Sequence, residues 1–394
     1  MIEGRDKMKI AIWGKKKEAV YLMKQIGQEK ESTVVCFIDN NIDELHNAID
    51  GLPICSFEQF KKMYAKTVDA VVLAVRNGYS INCILKQLAE INDKKIGLLK
   101  LAAYDFGKKV EMINEANSQI FWLDRESKLL FPYFQIILIK TCNLNCKGCT
   151  HFANLFNKQI EEDNVYPIQN YEKDLRILSQ YVNVFRLRLL GGEPLLYPYL
   201  GEAIKIAKQN FPLSDIRIVT NGLLIPQMSD ELLSIIKENN IGIDISPYKP
   251  TIKIKEKIIF KLEQFDIDYC FEGYEDEYIR EFSKNISIYK ENDKEKAVQN
   301  CFALQCQTLL NGKIYKCPFE ALGYKFFKYF GVESDVVNWG YDIRNDNINW
   351  NNMVDNLKSN PVNACKYCSD KIESFKWEIE NNPQVIDWTV KTYD

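Results

Sequence analysis

Apolar positions over residues 9–101 switch between two spacings. Lys9-Ile-Ala-Ile-Trp-Gly14 is a short apolar run closed by glycine, and Ala19, Met23 and Ile26 then recur on one face of a helix. Thr33–Asp39 and Asp69–Val75 read as further strands. Strands alternating with helices imply parallel pairing, so the fold class is α/β, and residues 8–102 are expected to form a doubly wound, parallel sheet. Periodicity fades over 103–130, which suits a surface linker. It resumes with strands expected at Gln135–Lys140, Phe185–Leu190, Ile216–Thr220, Ile241–Ser246 and Ile267–Phe271. Helices are expected at Leu200–Phe211 and Ser229–Asn240, with Ser229 capping the second and Asp230 and Glu231 in its first turn. Ile254, Ile258, Leu262 and Phe265 stripe one more helix. Repeated units of this kind over 131–285 are expected to close partly into a (β/α) barrel. The charge run Lys290–Lys296 reads as a solvated connection, and Gln307–Cys317 as a hairpin turning at Asn311-Gly312. Residues 295–394 are irregular and aromatic-rich, and are expected to form a small separate domain.

Composition narrows the function classes. A chain of 394 residues suits two or three domains. A formal charge of −3 supplies no basic excess for gripping nucleic acid. No apolar run approaches the ~20 residues of a membrane-spanning helix, and no secretory signal is visible, so a cytoplasmic protein is expected. Ile2-Glu3-Gly4-Arg5 reads as a protease-site remnant, with the natural chain expected to start near Met8. Twelve cysteines against two histidines are too many thiols for an intracellular chain to spend on disulfides, and too few imidazoles for a histidine-rich metal site. Thiolate-held metal is the expectation.

Cys142, Cys146 and Cys149 occupy one tight loop just past the C-terminal end of an expected strand, where parallel strand–helix folds gather their active sites. Three thiolates can wrap one side of an iron–sulfur cluster and leave one metal corner for a small molecule. The alternative is a zinc knuckle with His151 as fourth ligand. One strand–helix unit later comes Gly191-Gly192-Glu193-Pro194, directly after a strand. Its glycines are expected to let a ligand approach the backbone, and Glu193 offers an acceptor for an ammonium.

Together, Cys142-x-x-x-Cys146-x-x-Cys149 and Gly191-Gly192-Glu193-Pro194 resemble the radical S-adenosylmethionine (radical SAM) superfamily over about residues 131–275. The resemblance implies a 4Fe–4S cluster on the three cysteines, with S-adenosylmethionine on the open iron and Glu193 against its methionine ammonium. Asn221, in Thr220-Asn221-Gly222, and Ser246 are similar in position to family residues that touch the methionine carboxylate or ribose. Gly148 departs from the family, which usually has an aromatic residue before the third cysteine to pack near adenine; His151 and Phe152 stand nearby.

A second set comprises Cys301, Cys317, Cys365 and Cys368. Hairpin geometry can bring Cys301 to Cys317, and the later pair can complete a four-thiolate site for zinc or an iron–sulfur cluster. This pattern resembles the shortened "twitch" form of the superfamily's SPASM auxiliary-cluster domain, which implies one auxiliary 4Fe–4S cluster. Cys306 could replace one of the four ligands, and Cys36, Cys55, Cys83 and Cys270 read as small buried hydrophobes.

The first segment lacks a dinucleotide fingerprint: Gly14 is followed by Lys15, Lys16 and Lys17, which could attract a phosphate, and Asp39 ends the second strand. It is similar to Rossmann-like domains of surface-polysaccharide enzymes. The resemblance therefore implies a radical enzyme acting on a small polar substrate, a sugar or nucleotide-linked sugar. The auxiliary cluster would assist oxidation, and a flavodoxin or ferredoxin would donate electrons. Asp244, Tyr248 and Lys249 are candidates for a base. A peptide-modifying maturase is the alternative within the superfamily. A non-catalytic zinc or iron–sulfur scaffold is the alternative outside it.

Overall fold

The computed structural model describes residues 7–28, 31–41, 48–75, 84–85, 87–91, 93–99, 120–122, 129–159, 161–272, 281–288, 292–299, 301–304, 306–335 and 339–390. Cys83 lies outside them. The chain divides into two compact units, residues 1–102 with 111–127, and residues 103–110 with 128–394.

In the first unit, β1 (Met8–Trp13), β2 (Ser32–Ile38), β4 (Leu52–Cys55), β5 (Ala70–Leu73) and β6 (Lys95–Leu99) pair in parallel in the order β4-β2-β1-β5-β6. This is the 3-2-1-4-5 order of a doubly wound sheet. Short antiparallel strands, β3 (Ala48–Ile49) and β7 (Ile120–Trp122), close its two edges. β7 falls within the expected linker, so part of that stretch is sheet instead: three residues carry too little periodicity to stand out. Ala19, Leu22 and Ile26 are the buried face of α1 (Lys17–Gln28).

The second unit is built on β8 (Leu129–Ile139), β9 (Val182–Gly191), β10 (Asp215–Thr220), β11 (Gly242–Ile245) and β12 (Tyr269–Phe271), all parallel and adjacent in chain order. Alternate residues face opposite sides of such a sheet. Ile136, Leu187, Leu189, Ile218, Ile243 and Ile245 point to one side. There they pack on Leu175, Leu178, Ala203, Ala207, Leu233 and Ile236 from the intervening helices. Each such burial is worth about 1.5–3 kcal/mol before entropy is counted. Ser229 accepts from the Leu232 N–H at the start of the helix Asp230–Glu238, as its cap position requires.

The C-terminal region is not separate from this sheet. β14 (Thr308–Leu310) lies parallel to β8 and continues antiparallel into β15 (Lys313–Tyr315) and β16 (Tyr341–Asp342). Asn311 and Gly312, with φ of 48° and 78°, make the two-residue turn that this dipeptide favours. The charge run read as a solvated connection ends inside a helix, Lys294–Gln299, on which Ala297 and Val298 are buried. Before it, β13 (Glu281–Ile286) pairs antiparallel with β17 (Cys368–Lys376). A charge run shows only the wet face of a helix. Among the described residues, no helix is long and apolar enough to cross a membrane.

Candidate functional site

The end of β9 is held against the loop that follows β8. The Gly192 N–H donates to the Ile139 carbonyl (2.7 Å) and the Glu193 N–H to that of Thr141 (3.0 Å). A Cβ on Gly191 would stand 2.2 Å from the Ile139 oxygen, and one on Gly192 2.0 Å from that of Thr141. These glycines thus serve a close backbone approach within the protein, and both also line the cavity at this end of the sheet. The contact fixes where the cysteine loop begins. Asn157 then braces the loop, accepting from the Cys142 N–H (3.0 Å) and donating to the Cys142 carbonyl (2.8 Å) and Asn145 Oδ1 (2.9 Å).

Cys142, Cys146 and Cys149 line one cavity of about 360 Å³, together with Gly191, Gly192, Asn221 and Ser246. Each sulfur lies among donors. Leu144 N–H and Asn221 Nδ2 reach Cys142 Sγ at 3.4 and 3.6 Å, and Trp377 Nε1 donates to Cys146 Sγ at 3.1 Å. Backbone N–H groups of His151, Phe152 and Ala153 face Cys149. Burial pushes the Cys142 and Cys149 thiols up, so both are protonated in the ligand-free protein, and metal binding there must release protons. All eleven cysteines among the described residues are free thiols.

Glu193 is placed otherwise than expected. It is fully buried behind the cavity wall. Oε1 accepts from Thr220 Oγ1 (2.7 Å) and the Leu195 N–H (3.0 Å), and Oε2 from the Asn221 N–H (2.9 Å). It ties the ends of β9 and β10 together instead of offering itself to an ammonium. Burial outweighs the three donated bonds and holds its carboxyl up to about 7. Asn221 is on the cavity, donating to Asn143 Oδ1 (2.6 Å).

Gly148 has a left-handed φ of 59°, and a Cβ there would stand 2.7 Å from the Phe375 ring and 2.6 Å from the Asp387 oxygen. The side that the superfamily's aromatic would fill is thus taken by β17 and the chain after it. His151 lines the cavity, whereas Phe152 is buried against Trp388. Tyr248 lines the cavity and stacks on Trp377 with centroids 5.2 Å apart. Of the other base candidates, Asp244 is buried and bound to Arg217 Nε at 2.8 Å, and Lys249 is exposed to solvent.

Beyond Trp377 the chain lies along the cysteine loop. Lys147 N–H donates to the Glu378 carbonyl (3.0 Å) and Glu380 N–H to that of Asn145 (2.8 Å). Nothing in the sequence pairs these segments; the contact joins residues 231 apart. The floor of the cavity was also missed: Gln135, Arg188 and Glu272 line it, although the signal was available in polar residues inside β8 and β9 and just past the end of β12.

Cys301, Cys317, Cys365 and Cys368 line a second, smaller pocket with Lys316. Lys316 is 2% exposed and donates to the Leu357 carbonyl at 2.7 Å, a buried ammonium beside four thiols. Cys306 is not in this pocket; the Gln135 amide bonds its thiol on the side of the first cavity. Cys36, Cys55 and Cys270 are buried. Among the described residues, no three His, Cys, Asp or Glu side chains converge as a single metal ion requires.

The curated relatives matched include GTP 3',8-cyclases of Chlorobaculum tepidum (30% identical over 31% of this chain and 35% of the relative) and Clostridium acetobutylicum (33% over 28% and 34%). The chain thus spans about a third of the length of the relatives it matches. Among solved structures, BtrN in complex with AdoMet and 2-DOIA is 14% identical with a TM-score of 0.34, covering 60% of this chain and 85% of that one. Residues 136–264, which run from β8 through the cysteine loop and the Gly-Gly-Glu-Pro turn to the helix after β11, match the family model Radical SAM superfamily, and the chain therefore carries a radical SAM domain, the domain of an enzyme.

Proposed function

We propose that this chain is a radical SAM oxidoreductase acting on a small polar substrate, a sugar or nucleotide-linked sugar, with an auxiliary 4Fe–4S cluster assisting oxidation. The observation that carries the reading is the convergence of three unbridged thiols and the Gly191-Gly192 turn on one cavity. Cys142, Cys146 and Cys149 fit a cubane: three sulfurs, each near N–H donors, stand around a shared space, and among the described residues no fourth cysteine lines it. When bound, the first cluster with S-adenosylmethionine would supply radical hydrogen-abstraction chemistry, and a second cluster would supply a one-electron acceptor.

The protein's own residues orient and enclose. The Gly191-Gly192 main chain, Asn221 and Ser246 flank the cofactor, and Glu193 acts behind them by locking two strand ends in register. Tyr248 and Trp377 wall the cavity against water. Cys301, Cys317, Cys365 and Cys368 would hold the second cluster, and buried Lys316 offsets the negative charge of a four-thiolate site. Cys301 faces that pocket while its neighbour Phe302 lines the first cavity, which sets the two sites back to back. We read the second unit as a partial barrel with a twitch-like C-terminal extension, and the first as a Rossmann-like module. Reductive cleavage of S-adenosylmethionine consumes one electron per event, which calls for an external donor of the flavodoxin or ferredoxin type.

The test is anaerobic reconstitution with iron and sulfide counting. Two cubanes correspond to about eight irons per chain. Cys146→Ala should abolish formation of 5′-deoxyadenosine while the fold is largely kept. Zinc without labile sulfide, or undiminished 5′-deoxyadenosine in the variant, would refute the reading.

A further inference from the structure

A buried polar atom without a partner calls for an explanation, and a ligand is one. Three such atoms, Gln135 Oε1, Arg188 Nε and His151 Nε2, belong to side chains that line the first cavity. Gln135 and Arg188 are register partners on the neighbouring parallel strands β8 and β9, so their side chains leave the sheet on the same face. Gln135 is 4% exposed. Its amide N–H is engaged by the Cys306 thiol, which leaves the oxygen over. Arg188 directs Nη2 to Glu272 and toward Asp244 (3.7 Å), which leaves Nε–H over.

The charge balance decides what this floor accepts. Arg188 is already matched by Glu272 and Asp244, and Glu272 itself lines the cavity. Among the described residues of the lining, no surplus positive charge remains for a phosphate or carboxylate. A free acceptor beside a free donor is the complement of a hydroxyl, which donates and accepts at once. Peptide recognition would use a strand edge, whereas these groups stand on two central strands.

We infer that Gln135, Arg188 and His151 recognise the hydroxyls of an uncharged polyhydroxylated ring, a monosaccharide or cyclitol or that part of a larger molecule. This rests on the proposed enzyme reading for the chemistry, and on the orphaned atoms for the recognition. The test is ligand-observed NMR on the reconstituted protein with S-adenosylmethionine, using D-glucose, myo-inositol, glucose 6-phosphate and a neutral tetrapeptide as probes. The neutral polyols should bind saturably, and phosphate should add no affinity. Gln135→Met, which keeps the volume but removes both polar atoms, should weaken polyol binding at least fivefold. Should that variant melt more than about 5 °C early, Gln135→Asn, which withdraws the oxygen by one methylene, should show the same loss. Binding by the phosphorylated sugar or the peptide alone, or unchanged polyol affinity in the variant, would overturn the inference. A separate assay for 5′-deoxyadenosine distinguishes the two readings. Turnover without polyol binding sinks only this one, and polyol binding without turnover sinks only the other.

Discussion

Replacing Gly192 with alanine perturbs the site through geometry alone. The added Cβ would stand 2.0 Å from the Thr141 oxygen, 2.3 Å from its carbonyl carbon and 2.8 Å from the Lys140 oxygen. Ordinary Cβ contacts begin above 3.0 Å, and every obstructing atom is main chain that cannot rotate aside. The two backbones must part by about 1 Å, an overpacking cost of ~1–3 kcal/mol. Parting strains the bonds from Gly192 N–H to Ile139 and from Glu193 N–H to Thr141, each worth ~1 kcal/mol. The sum is about 3–5 kcal/mol, or roughly 5–10 °C in the melting transition of the second unit. Calorimetry on the cluster-free protein reads it directly. Iron uptake at the first site should fall in parallel, because the displaced segment leads into Cys142. Gly201→Ala, where a new Cβ meets the Ile235 methyl at 3.1 Å within a helix, is the comparison and should shift the transition little. A Gly192→Ala protein that melts within 1 °C of wild type would show that the close approach does not govern the loop.

Further outcomes follow from individual contacts. Gly148→Phe restores the residue type the superfamily usually carries, yet it should lower the melting temperature, because the position is left-handed and crowded by Phe375 and the Asp387 carbonyl. Trp377→Phe removes the N–H donated to Cys146 Sγ and should move the midpoint potential of the first cluster to more negative values in a titration followed by electron paramagnetic resonance. Arg344→Met strips the paired 2.7 Å bonds from fully buried Asp174, leaving Tyr166 as donor, and should cost about 3 kcal/mol in denaturant unfolding. Glu193 has its carboxyl held up to about 7, against an ordinary 4.5, so the folded protein keeps a proton that the unfolded chain releases between those values. Its contribution to stability falls as pH rises from about 4.5 to 7, and the melting temperature of the cluster-free wild type should decline more steeply from pH 5 to 8 than that of Glu193→Gln.

Much of the second unit was legible because its strands alternate cleanly. Leu187 and Leu189 announce one buried face of β9, and the helices between strands carry caps and stripes that place them within a residue or two. The opposite face was not legible. Arg186 and Arg188 alternate with those leucines, and they pair with Asp215 and Glu272 in the interior. Alternation tells which residues share a face, not whether that face meets solvent or an internal cavity. The glycines of the Gly-Gly-Glu-Pro turn were found, but not their close contact with the Ile139 and Thr141 main chain, since sequence does not show which backbone will lie against them. Gln135, the Trp377 contact and the strand-like pairing of Glu378 with Lys147 escaped because each depends on a partner far along the chain.

That last arrangement sets a schedule. During synthesis the thiols at 142–149 leave the ribosome long before the indole that covers one of them, 231 residues later. At 5–20 residues per second the interval is roughly 10–50 s. Throughout it the nascent loop lacks its outer wall and is open to oxidants and stray metals, so the cell must shelter it or defer loading until the tail has docked.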